Sequence, residues 1–305
     1  MDNFISVTFD KSHVITIGER LYAESIELIR ELVNNAYDAD AMRVDVTISD
    51  ERIIIKDDGC GMDMDGLRQY FNIGSQYKLK QSKSPKLGRN RIGQFGIGKF
   101  ASLAACERFI VETQSDDFSA RVIFDKNEWE KHPDVWHLPL ETLRPDPVRG
   151  SGTTVSLENL TKAFNLEDVE DRIIEGVPLK TPNFKVFLNG YPVLPRSYVG
   201  HRLPILEGTP FGPIAGEIVI LPVSGASLSE LGIECKAKHV TIRRETFGME
   251  SWGTAIARIR GEINADFLPV TSDRTSFLKD SLEGSGEKCE FCHPRVGGDP
   301  VKSNT

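Results

Sequence analysis

The stretch Glu31 to Asp40, ELVNNAYDAD, narrows the possible folds more than any other part of the 305-residue chain. Apolar residues recur at three- and four-residue steps through Tyr22, Ile26, Ile29, Val33 and Ala36, which predicts a helix from about Glu19 to Ala41 with one face in a core. Glu31, Asn35 and Asp38 follow one another at spacings of four and three, so at about 100° of turn per residue they share one narrow stripe on the opposite side. A helix that buries one side and carries two carboxylates and an amide in register on another needs something for that stripe to face.

Length and a hydrophobic content of 39% allow two ordinary domains with cores of their own. The net charge of −8 excludes a basic surface spread over the whole molecule, so any nucleic-acid contact would be local. No apolar run approaches the roughly 18 residues of a membrane span, and no charged segment followed by an apolar one opens the chain. A soluble, cytoplasmic protein with no membrane partner is the expectation. Cys60, Cys106 and Cys235 stand singly, as reduced thiols do. The segment CEFCH (Cys289 to His293) has the spacing of a haem-attachment motif, but that chemistry belongs outside the cytoplasm, and a zinc site would need further ligands nearby.

Along the chain, Phe4 to Phe9 alternates like a short strand. Arg43 to Ser49 and Arg52 to Asp57 read as two strands around a tight turn, and Met64 to Phe71 as a short helix. Between Ile73 and Gly93, Lys78, Lys80, Lys83, Lys86, Arg89 and Arg91 occur without a single acid, and a loop of that length in a domain is functional or disordered. Strands are expected at Arg108 to Gln114, Ser119 to Lys126 and Thr153 to Glu158, and a helix at Leu166 to Gly176. A hairpin turned at Asn189-Gly190 is read as the start of a new, strand-rich unit. The expected division is 1–178, 179–282 and a poorly ordered tail, 283–305.

Three further motifs carry chemistry. KDDGCGM sets Asp57 at a strand end before Gly59, Gly61 and Met62, an acid beside backbone that a ligand can approach; alone, it could be a capping aspartate in a turn. Gly93, Gly96 and Gly98 precede Lys99 and a helix. Their spacing matches neither a Rossmann fingerprint nor a Walker A loop, yet glycines before a helix can turn several N–H groups towards an anion; the alternative is a glycine hinge. The fourth element is GTTV, from Gly152 to Val155.

In that order, these motifs resemble the GHKL ATPase superfamily, which includes gyrase B subunits, ninety-kilodalton heat-shock chaperones, histidine kinases and MutL proteins. The pattern is most similar to the heat-shock-ninety-like and MORC-like members. The resemblance implies an α+β chain with an N-terminal Bergerat-type α/β sandwich ATPase domain, followed by a ribosomal-protein-S5-like transducer domain. It implies ATP and magnesium as cofactors: Glu31 as general base for the attacking water, Asn35 as magnesium ligand, Asp38 lining the pocket and Asp57 accepting from the adenine amine. Met62 would pack on the base, Thr153 would support the Asp57 side, and Gly59, Gly61, Gly93, Gly96, Gly98 and Lys99 would surround the nucleotide. Each role suits the residue's chemistry.

ADFLPVTSDRTSFL resembles the segment that brings an arginine to the terminal phosphate, which makes Arg274 a catalytic candidate; its bland alternative is a surface arginine beside Asp273. The basic segment would be an ATP lid, with Lys78 near the phosphates, or a solvated loop. Lys99 replaces an aromatic residue of the chaperones. With His13 the only histidine before the nucleotide helix, a histidine kinase is not expected. The expectation is therefore a magnesium-dependent ATPase whose cycle drives lid closure, interdomain rotation and ATP-dependent homodimerisation, with an unidentified protein client or nucleic acid. The alternative is a nucleotide-binding interaction module with little turnover.

Overall fold

Strict alternation accounts for the centre of the first sheet. In a computed structural model, which describes residues 26–72, 82–93, 105–131, 137–222, 231–271 and 276–278, the chain divides into two units, Met1–Arg196 and Ser197–Thr305. In the first, helix α1 (Glu27–Asp38) leads into a hairpin of β1 (Arg43–Ile48) and β2 (Arg52–Asp57). Val44, Val46, Ile53 and Ile55 point inward from these strands and are buried, while their neighbours are not. Helix α2 (Met64–Phe71) starts where the Asp63 side chain accepts from the Gly66 N–H at 2.7 Å.

Strands β3 (Cys106–Ser115) and β4 (Phe118–Asp125), a short helix α3 (Lys126–Lys131), β5 (Leu140–Leu143) and β6 (Gly152–Leu160) follow. Helix α4 (Leu166–Gly176), capped by Asn165, precedes β7 (Lys185–Leu188) and β8 (Tyr191–Val193). The sheet runs β5-β4-β3-β6-β2-β1-β7-β8, antiparallel throughout except that β1 and β7 are parallel. Its core joins Phe109, Val111, Val122, Phe124 and Leu157 to Leu28, Ile29 and Val33 of α1 and Val169 and Ile173 of α4, all buried.

Helices α1 and α4 meet through polar groups. The Asn34 amide donates to the Gly176 carbonyl at 2.9 Å, and a Cβ on Gly176 would stand 2.1 Å from Arg30 Cδ. Glu27 pairs with Arg30 and Arg172, and Arg196 pairs with Asp171 and Glu175 of α4.

The second unit is a five-stranded sheet, ordered β12-β11-β13-β10-β9. It is built from β9 (His201–Thr209), β10 (Gly212–Ile220), β11 (Ile233–Ala237), β12 (Val240–Glu245) and β13 (Ile259–Asn264), with a kinked 3-10 helix over Met249–Arg258. Only β11 and β13 run parallel. β9 is the edge among the described residues, with Leu203 and Leu206 exposed. A two-residue turn joins Thr209 to Gly212, so bonded and non-bonded pairs alternate from there. The pairs Gly208–Pro213 and Pro204–Glu217 fall on the non-bonded positions, and Pro204 presents its nitrogen to the outer side.

The first unit is α+β, as expected, and the second is a sheet with a 3-10 helix among the described residues, but the division lies elsewhere. The sequence expects the second unit to start after Pro178, whereas β7 and β8 join the first sheet and the chain divides after Arg196. The reason is long-range. Asn189 (φ 48°) and Gly190 (φ 86°) make the expected tight turn, and the Asn189 side chain accepts from Ile48 N at 2.8 Å and donates to Ile48 O at 3.2 Å. Val186, Leu188 and Val193 are then buried beside β1. The expected strand Phe4–Phe9 and the tail 283–305 lie outside the described residues.

Candidate functional site

Helix α1 answers the question its sequence poses. Ten of its residues are buried, on three sides; Glu31 and Asn35, one turn apart, are the two that are not. Among the described residues the Glu31 carboxylate takes part in no hydrogen bond or ion pair. Its field is nonetheless felt by the buried Tyr70 hydroxyl of α2, whose pKa rises through burial first and then through Glu31 and Asp57. One phenol therefore senses both carboxylates, which sets Glu31 of α1 and the end of β2 near one place.

Asp38, the third member of the stripe, is 3% exposed and has a different task from its neighbours. Its two oxygens accept from the backbone N–H groups of Ile92 at 2.7 Å and Gly93 at 2.9 Å. It thus fixes the first glycine of the glycine cluster to α1. Asp40 likewise accepts from Lys86 N at 2.7 Å.

The basic segment is fastened over its described half. Lys83 and Asn90 bridge in antiparallel fashion, and Ser84 and Arg89 exchange hydrogen bonds. Arg89 is 8% exposed and donates to the carbonyls of Tyr37, Ala41 and Asn183, with its guanidinium against the Tyr37 and Phe184 rings. A cation read from sequence as part of a loose lid is a structural pin; an arginine can bury its planar head when carbonyls and rings meet it.

At the end of β2, Asp57 Oδ1 accepts from Gly59 N at 2.8 Å and Thr153 N at 3.2 Å. Its Oδ2 accepts nothing among the described residues. Burial pushes the carboxyl up to about 6, more than the two N–H groups and the distant Arg149 lower it. Glycines permit this close wall. A Cβ on Gly59 would lie 2.7 Å from Ala39 O, and one on Gly61 (φ 64°) would lie 1.8 Å from Gln114 O.

Two residues that sequence reading passed over complete the wall. Thr113 of β3 is fully buried; its hydroxyl accepts from Met62 N at 2.8 Å and lies 3.3 Å from the Thr153 hydroxyl. Gln114 donates to the carbonyls of Asp146 and Gly150 and accepts from Asp146 N, shaping the loop that delivers Gly152 and Thr153. A signal was present. Thr113 alternates with the core residues Phe109 and Val111, and a hydroxyl on the inward side of a strand asks for a partner.

The structure thus brings together Glu31, Asn35, Asp38, Asp57, Gly59, Gly61, Met62, Gly93 and Thr153 across α1, the end of β2 and the start of β6. Lys78, Gly96, Gly98, Lys99 and Arg274 lie outside the described residues. No cluster of three or more His, Cys, Asp or Glu side chains able to hold a metal occurs among the described residues. A cation held by the amide oxygen of Asn35 and by oxygens of a ligand fits that donor set, because magnesium keeps few protein ligands and takes the rest from phosphate and water. No helix among the described residues is long and apolar enough to cross a membrane.

Residues 23–154 match the family described as histidine kinase-, DNA gyrase B- and HSP90-like ATPases. A Herpetosiphon aurantiacus protein, provisionally named type II restriction enzyme HgiDII, is 30% identical over 131 residues, 43% of this chain and 21% of that protein. The DNA mismatch repair protein MutL of Heliobacterium modesticaldum is 29% identical over 154 residues, covering 48% of this chain and 21% of its own length. Heat shock protein 90-6, mitochondrial, of Arabidopsis thaliana is 27% identical over 181 residues, covering 50% and 22%. The chain spans about a fifth of the length of these curated relatives.

Proposed function

Residues 23–154 belong to the GHKL ATPase superfamily, and from that premise we propose that the protein is a magnesium-dependent ATP hydrolase. The observation that carries the proposal is the window in α1: in a helix otherwise buried, Glu31 and Asn35 alone are part-exposed, and Glu31 shares with Asp57 an influence on the buried Tyr70 hydroxyl. Asp57 accepts from the 6-amino group of adenine, Met62 packs on the ring and Thr153 supports that edge. Asn35 holds magnesium, which neutralises phosphate charge. Glu31 takes a proton from water while the water oxygen forms its bond to the terminal phosphorus and the bond to ADP breaks.

Lys78, Gly96, Gly98 and Lys99 belong to the phosphate side of this proposal, and Arg274 supplies the charge opposite the transferred phosphoryl group. The second unit, of S5-like transducer type, turns nucleotide state into movement, with transient pairing of two chains as the output. Lid motion in this scheme excludes residues 82–93, which Asp38, Asp40 and Arg89 hold. Relatives named for DNA mismatch repair and for chaperone activity make a nucleic acid or a protein client the partner class.

The test is magnesium-dependent phosphate release from ATP by the wild type and by Glu31→Ala, with ATP binding verified in both by calorimetry. Loss of a positioned general base should lower kcat by roughly a hundredfold or more. Equal and negligible turnover in two proteins that bind ATP would replace the hydrolase with a nucleotide-binding interaction module.

A further inference from the structure

We infer that Thr113 is a positioning residue that sets which way the Thr153 hydroxyl points, and through it the preference of the site for adenine over guanine. The inference rests on the assignment of Asp57 and Thr153 to the base edge. Thr113 touches no base itself.

Hydrogen-bond accounting carries the argument. A threonine hydroxyl has one proton and two lone pairs. At Thr113, which is fully buried, one lone pair is taken by the Met62 N–H at 2.8 Å. The proton has two acceptors within reach, the Thr153 hydroxyl at 3.3 Å and the Gly152 carbonyl at 3.5 Å. Either hydroxyl can donate in the 3.3 Å contact; the inferred donor is Thr113. With that bond made, the Thr153 oxygen is satisfied as an acceptor by Thr113, and its own proton must be donated elsewhere. The Thr153 backbone N–H is already committed to Asp57 Oδ1. The wall then presents an acceptor at Asp57 beside a donor at Thr153.

Adenine offers the complement: an exocyclic amine beside the unprotonated ring nitrogen N1. Guanine offers a carbonyl and a ring N–H at the same two places, and both are mismatched, oxygen against carboxylate and donor against donor. Removing the Thr113 hydroxyl frees the Thr153 hydroxyl to turn and accept instead, and it also orphans Met62 N, whose residue packs on the base. The effect therefore falls on binding and base choice. Glu31 and its water lie on another element, so turnover at saturating ATP is insulated.

The test compares wild type, Thr113→Val, Thr113→Ser and Asp57→Asn of the full chain, by calorimetry with ATP, GTP and 1-deaza-ATP, in which N1 is replaced by C–H. Wild type should bind 1-deaza-ATP roughly five- to tenfold more weakly than ATP, one hydrogen bond's worth. Thr113→Val should bind ATP more weakly by a similar factor, lose the distinction between ATP and 1-deaza-ATP, and narrow the ATP-to-GTP ratio. Its kcat at saturating ATP should stay within about twofold, and Thr113→Ser should restore all three. Should the valine variant fail to fold, Thr113→Cys, whose thiol is a weak donor, takes its place.

A wild type that binds the two adenine analogues equally, or a folded valine or cysteine variant that keeps the full distinction, overturns the inference. Asp57→Asn separates the two levels. If it binds ATP as well as wild type, the base-edge assignment itself fails; if it loses ATP while Thr113→Val keeps the distinction, only the role of Thr113 fails.

Discussion

Each unit holds a carboxylate on a sheet largely away from water, and the two are treated in opposite ways. Glu234 of the second unit, 9% exposed, is surrounded by cations and donors: Arg244 at 2.9 Å, Lys236 at 3.0 Å and the Thr241 hydroxyl at 3.1 Å. Lys236 in turn reaches Glu262 at 2.7 Å. Asp57 of the first unit has two backbone N–H groups on one oxygen and, among the described residues, no cation in contact, and its pKa is pushed up to about 6 by burial. A buried acid closed off by counter-charges completes a network; one left open on one oxygen and held above its ordinary range is available to a ligand.

Three experiments would break or sharpen that contrast. The largest effect is expected from Asp57→Asn, which turns an amide donor towards the adenine amine. ATP affinity should fall by roughly a hundredfold in calorimetry, about 2.7 kcal/mol, with the fold retained by circular dichroism. Next comes Glu234→Ala, which takes a carboxylate away from Arg244, Lys236 and the Thr241 hydroxyl. Denaturant unfolding should show the protein less stable by about 2 kcal/mol, while ATP affinity stays within twofold; a loss of ATP affinity comparable to that of Asp57→Asn would make Glu234 part of a functional site and end the contrast.

The smallest effect is on pH dependence. Folded Asp57 keeps its proton up to about pH 6 against 3.8 for the ordinary carboxyl. Its ionised form therefore costs stability above pH 6, and that cost is relieved as the pH falls from about 6 towards 4. Nucleotide binding, which uses the ionised form, moves the other way. Affinity for ATP should be about fourfold weaker at pH 5.5 than the plateau reached well above pH 6, the dependence expected for a single group titrating near 6, and titration calorimetry of wild type against Asp57→Asn should show it in the former alone.

How much of this was legible in the sequence follows from the range of the forces involved. The strands around Asp50 and Glu51, the helix of α1 and the turn at Asn189-Gly190 are fixed by local periodicity and turn chemistry; the bounds expected for the strands lie close to those observed, while the expected start of the helix at Glu19 lies outside the described residues. Which sheet the Asn189 hairpin joins was not legible, because its partner β1 lies some 140 residues earlier and the two strands are parallel. The stripe of α1 was legible as a stripe. That Asp38 is buried against backbone N–H groups while Glu31 and Asn35 stay part-exposed depends on where residues 92 and 93 pass. Arg89 looked like its basic neighbours, since nothing local announces that three carbonyls and two rings will converge on one guanidinium.

Pro204 has a consequence for how the protein behaves in quantity. The outer edge of β9 is nine residues long and displays Leu203 and Leu206 to water, the kind of edge on which chains stack into filaments. Midway along it the ring nitrogen of Pro204 offers no proton to an incoming strand, so a ladder started at either end meets a missing rung. One imino acid acts as a gatekeeper against strand-on-strand polymerisation along this edge.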